Sequence, residues 1–110
     1  MIQDRIAKIE ATLQSAGNLP EATRAELLSL LADLKAEVAP LTGDHREDAQ
    51  SIARFTDASV HEATRQARKP DQTEAALKGL TASVEGFEAS HPRLVEIVNR
   101  IAVTLSNMGI

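Results

Sequence analysis

The sequence contains no cysteine, no tyrosine and no tryptophan, and its only aromatic side chains are two phenylalanines. Without cysteine, disulfides, thiolate catalysis and cysteine-ligated metal centres are excluded. Sites that stack nucleobases, sugars or cofactor rings depend on aromatic side chains, so their scarcity argues against nucleic-acid platforms and carbohydrate pockets. Any core must therefore be aliphatic, which is typical of helix-on-helix packing.

An excess of basic charge and a long apolar run are also lacking. The formal net charge is −4 at pH 7, whereas binding to phosphate backbones needs clustered lysine and arginine. No stretch approaches the roughly 20 apolar residues that span a bilayer. The first residues, MIQDRIAKIE, do not have the basic-then-apolar order of a signal peptide. We therefore expect no nucleic-acid partner, no membrane insertion and a cytoplasmic location.

The 110 residues are short enough for one domain, and residues 1–40 predict its N-terminal hairpin. Two apolar stripes with helical spacing are separated by Gly17 and Asn18, and Pro20 suits the first turn of the second helix. A connection of about three residues folds the helices back into an antiparallel pair. The stripes are Ile2, Ile6, Ile9 and Leu13, then Leu27, Leu28, Leu31, Leu34 and Val38, with Leu30 near the edge of the second.

Residues 44–70 predict a long, alanine-rich helix that is weakly anchored. Asp44 and Glu47 form a capping box, and nothing before Pro70 would break the helix. The basic run RQARK, residues 65–69, would then lie in its last turns and complement the helix dipole. A partly frayed connector is the alternative. The inward face would hold three large residues, Ile52, Phe55 and Val60, and five small ones, Ala49, Ala53, Thr56, Ala63 and Ala67.

Residues 71–110 predict a C-terminal helix pair. Asp71 caps a fourth helix that contains Gly79 and Gly86, and Ser90 caps the last one. The fourth helix would bury Leu77, Leu80, Val84 and Phe87. The last helix carries a heptad pattern typical of coiled coils, Leu94, Val98, Ile101, Leu105 and Met108. Gly109 and Ile110 then suit a helix C-cap.

Two runs, LPEATRAELLSLLADL and FEASHPRLVEIVNRIAVTLSNMGI, resemble a family of short bacterial proteins of unknown function. Those proteins share an N-terminal helical hairpin and end in L-S/A-N-M/I-G-I. The similarity covers about residues 1–40 and 72–110, and 44–70 look longer than the family's usual connection. The resemblance implies a small helical fold, but it implies no activity and no catalytic residue.

The polar residues do not form a recognisable active site. Glu88 and His91 have the spacing that di-iron bundles use, but the second such pair and the further carboxylates are missing, and His91 is better read as a first-turn residue. Ser51, Ser59 and Ser83 have no catalytic motif around them. We therefore predict no enzyme, no catalytic residue, no cofactor and no metal ligand.

The prediction is thus an all-α protein in which antiparallel hairpins form a small bundle joined by one long middle helix. Its apolar stripes exceed what one short chain covers, so we predict a homodimer in which the middle or the final helix crosses its symmetry mate. The predicted function is a protein-interaction or oligomerisation module. Its expected partner is a second copy of the chain, and an unidentified protein is a further candidate partner. The alternative is a small-molecule or metal-binding bundle that uses Glu88 and His91. The candidate interface residues are Ile2, Ile6, Ile9, Ile52, Phe55 and Val60.

Overall fold

The computed structural model describes residues 2–108, and this part of the chain is all-α with five helices and no strand. The predicted fold class is confirmed. Contacts between helices close a ring in the order α1, α2, α5, α4, α3, and α3 also contacts α5 across it. The helices are α1 (Ile2–Ser15), α2 (Glu21–Val38), α3 (Asp44–Thr64), α4 (Pro70–Ala82) and α5 (Pro92–Met108).

The N-terminal hairpin forms as predicted, and its two stripes lie in the core. All four stripe residues of α1 are buried. On α2 the buried face is slightly rotated from the prediction, because Leu30 is buried whereas Leu28 is only half-buried. The remaining predicted members of that stripe are buried, namely Leu27, Leu31, Leu34 and Val38.

The side chain of Arg24 holds the hairpin together at its closed end. Carbonyl groups in the last turn of a helix have no partner within the helix, so they need donors from elsewhere. Arg24 lies in the second turn of α2, and its side chain is only 15% exposed. Its guanidinium donates to four carbonyls at and beyond the end of α1, those of Leu13, Gln14, Ala16 and Leu19.

Helix α3 ends earlier than the sequence predicts, and the expectation that it continues to Pro70 is wrong. The backbone of Arg65 is extended, with φ −71° and ψ 148°. Side chains satisfy the last carbonyls instead of another helical turn: Arg68 donates to Ala63 at 2.7 Å, and Asn18 donates to Thr64 at 3.3 Å. The basic run 65–69 is therefore a connection between helices, not the end of one.

Within its shorter span, α3 packs through mostly small side chains. It contacts α1, α4 and α5. The predicted small inward residues within the helix, Ala49, Ala53, Thr56 and Ala63, are buried, as are Ile52, Ser59 and Val60. Phe55 and Ala67 were expected on the same face and are exposed. Small side chains bury little area each, so α3 is held by contact with three helices at close range.

The C-terminal pair differs from the prediction where α4 ends. Helix α4 begins at Pro70 and stops at Ala82, and Gly86 then takes a left-handed conformation with φ +94°. Val84 and Phe87 are buried from the connection after α4, not from the helix. On α5 the predicted heptad residues Leu94, Val98, Ile101 and Leu105 are buried. The predicted C-cap at Gly109 and Ile110 lies outside the described residues.

Replacing Arg24 tests the closure of the hairpin. We expect Arg24→Ala to lower the free energy of unfolding by about 2 kcal/mol, because it leaves carbonyls at the end of α1 without donors. Arg24→Lys should lose about half as much, since an ammonium cannot reproduce the planar fork. Urea unfolding measures both. Arg54→Ala is the control, because Arg54 is exposed and should change stability by less than about 0.5 kcal/mol; equal effects at 24 and 54 would contradict the proposed closure.

Candidate interaction surface

Five of the six residues predicted for an interface lie inside the core of a single chain. Ile2, Ile6, Ile9, Ile52 and Val60 are at most 6% exposed. A second chain cannot reach these side chains while the bundle is closed. The sequence shows that such apolar stripes must be buried, but it does not show that other helices of the same chain bury them. Of the six, Phe55 alone is exposed in the described structure, at 39%.

The exposed side chain of Phe55 already makes a contact within the chain. Its ring lies against Gly79 on α4, so closely that a methyl group at position 79 would overlap it. Gly79 therefore permits the close contact between α3 and α4 that the sequence left open. One edge of the Phe55 ring packs within the chain, and the rest of its surface is what a partner could touch.

The most exposed large apolar side chain among the described residues is Val103 on α5, at 59%. It belongs to a set of residues on the side of α5 away from the core, which recur at helical spacing. We call this set the outer stripe; its members are all exposed and are Pro92, Glu96, Asn99, Val103 and Asn107. The spacing of four, three, four and four was readable in the sequence. It escaped notice because Val103 is its only large aliphatic member.

Shallow, open grooves flank the outer stripe on both sides. One, of about 520 Å³, lies toward α2 and includes Glu26, Val95 and Val103 in its lining. Another, of about 370 Å³, lies toward α4 and includes Leu77, Ala102 and again Val103. Helix α5 therefore presents a ridge with a depression on each side, a shape that helix packing uses when ridges of one helix enter grooves of another.

Charges on this surface occur in pairs of opposite sign. Arg100 lies 4.0 Å from Glu96 one turn earlier on α5. On the neighbouring helix, Lys78 lies 3.3 Å from Glu74 with the same spacing. Each pair is exposed to solvent, where such pairs stabilise a helix only weakly. The surface thus carries both signs within a short distance and has no large field of one sign.

Two of the three histidines, His45 and His91, lie close together near the N-terminal end of α5, whereas His61 lies in the last turn of α3. The rings of His45, Phe87 and His91 form a triangle, with centroids between 5.2 and 5.6 Å apart. Glu88 accepts a hydrogen bond from the backbone of Gly86 at 2.8 Å. Glu88 and His91 lie in the connection between α4 and α5, so they do not share a helix face as the metal alternative requires. Residues 2–108 contain no group of three or more histidine or carboxylate side chains that could hold a metal ion.

A family model described as Domain of unknown function (DUF4404) matches residues 36–110, and the chain belongs to that family. The match includes α3, although residues 44–70 were expected to be longer than the family's usual connection, and it omits most of the N-terminal hairpin. Neither a curated protein nor a solved structure matches the chain. Between residues 2 and 108, no helix combines the length and apolar character needed to cross a bilayer.

A double-mutant cycle tests the contact between Phe55 and Gly79. In a Phe55→Ala background, Gly79→Ala should raise the free energy of unfolding by about 1 kcal/mol, the usual gain of alanine over glycine within a helix. In the parent the gain should be smaller by roughly 0.5 kcal/mol or more, because the new methyl group displaces the ring. Thermal and urea unfolding measure both. Equal effects in the two backgrounds would show that the ring does not occupy this space.

Proposed function

We propose that the protein is a non-enzymatic helical module for protein interaction, and that it self-associates as a homodimer. One observation supports this most directly: Val103, a large aliphatic side chain on α5, is 59% exposed and lies between two shallow grooves. An apolar group in that position is solvated in the free chain and would be covered by a partner. The cytoplasmic location of the protein stays a prediction.

Two surfaces compete for this role, one around Phe55 on α3 and the other around Val103 on α5. The α5 surface is favoured because Val103 is more exposed than Phe55 and has a groove on either side. Phe55 already packs against Gly79 within the chain. The core stripes predicted for an interface are satisfied internally, so these two positions are the ones to test.

Light scattering after size exclusion, run over a concentration series, tests the proposal. We expect the parent to have twice the chain mass of 11.8 kDa. Val103→Asp should weaken association roughly a hundredfold, because the contact would bury an unpaired charge. Phe55→Asp should associate like the parent.

The matched control for Val103→Asp is Ala11→Asp, which adds the same charge at an exposed position on α1. Circular dichroism should show parent-like helix content for all variants. A parent that is monomeric at every concentration would end the proposal of self-association. Dissociation by Phe55→Asp, with Val103→Asp unaffected, would move the contact from α5 to α3.

A further inference from the structure

We infer that the occupant of the α5 surface is the α5 helix of a second copy, which lies antiparallel about a two-fold axis close to Asn99. This rests on the proposed self-association and adds the partner helix, its direction and its register. Antiparallel helices related by a two-fold axis bring each residue opposite one that lies equally far on the other side of the axis. The order of the residues along the outer stripe can therefore be checked for self-complementarity.

The charges on α5 are self-complementary about that axis. Glu96 precedes Asn99 by three residues, and Arg100 follows it by one, and both are exposed. With the axis at Asn99, Glu96 of one copy comes within about one half-turn of Arg100 of the second copy, given a rise of about 1.5 Å per residue. Both belong to the same flank of the helix, so opposite charges meet twice. In a parallel arrangement in register, each charge would lie beside its own equivalent, which is unfavourable.

The apolar groups match in the same register. Val95 precedes Asn99 by four residues, and Val103 follows it by four, so Val103 of each copy lies level with Val95 of the other along the helix axis. Val95 is half-buried and lines the groove toward α2, which also contains Val103. The exposed Val103 of one copy would therefore lie over the groove that Val95 of the other copy helps to line. The two-fold axis makes this contact occur twice.

The residue at the axis is suited to fix this register. Asn99 is exposed and lines the grooves on both sides of the outer stripe. An asparagine amide carries both a donor and an acceptor, so two copies facing each other across a two-fold axis can satisfy one another. A single asparagine in a helix seam specifies register because a shifted helix leaves its amide unpaired.

Two single charge reversals test the arrangement when they are mixed. In Glu96→Arg both positions are positive, and in Arg100→Glu both are negative, so each variant repels its own kind. Each alone should self-associate roughly tenfold more weakly than the parent, since two attractive contacts become repulsive. An equimolar mixture should recover near-parental association as a heterodimer, because positive then meets negative at both contacts. The pair within each helix stays like-charged in the mixture, so recovery reports contacts between chains.

The outcome separates the register from the proposed function. A parent that dimerises while the mixture fails to recover would overturn the antiparallel arrangement and leave self-association standing. A parent that never dimerises would overturn both. Native mass spectrometry of the mixture, with one variant isotopically labelled, identifies the heterodimer directly.

A cysteine scan gives a second test, which is clean because the parent has no cysteine. Asn99→Cys should form a disulfide-linked dimer under mild oxidation, since position 99 meets its own equivalent at the axis. Val103→Cys is the control: its two copies lie about 12 Å apart along the helix axis, beyond the reach of a disulfide. Efficient cross-linking at 103 with none at 99 would contradict the register.

Discussion

The arrangement of the bundle depends on the close approach that small side chains allow around α3. With two phenylalanines as its only aromatic residues, the chain has few groups that can bridge a wide gap between helices. Helix α3 buries alanine, serine and threonine instead, and it contacts three other helices. Packing of this kind gains dispersion energy from many short contacts and little from any single large one. Gly79 allows a similarly close approach on α4, because the ring of Phe55 occupies the space that a side chain at position 79 would fill.

The sequence predicts the helices well and their partners poorly, for a physical reason. Helical periodicity shows which side of a helix must be covered, and most residues of the stripes on α1, α2 and α5 are found in the core. Periodicity carries no information about which helix supplies the cover. The stripe of Ile2, Ile6 and Ile9 was assigned to a second chain for that reason, whereas α2 and α3 of the same chain cover it.

The ends of helices were the least predictable feature, because long-range contacts decide them. The end of α3 at Thr64 is completed by Arg68 and Asn18, and Asn18 is distant in sequence. The outer stripe of α5 was missed for a different reason. Polar and small residues at helical spacing resemble an ordinary solvated face, so the exposure of Val103 and the grooves beside it become visible only after the neighbouring helices are in place.

The order of the helices in the ring has a consequence for how the family segment can fold. The family match begins at residue 36, within the last turn of α2. The helices before that point cover α3 on one side and α5 on another, since α1 contacts α3 and α2 contacts α5. A chain reduced to the matched segment would expose both faces to water at once. The matched segment therefore lacks most of the two helices that cover α3 and α5 in this chain.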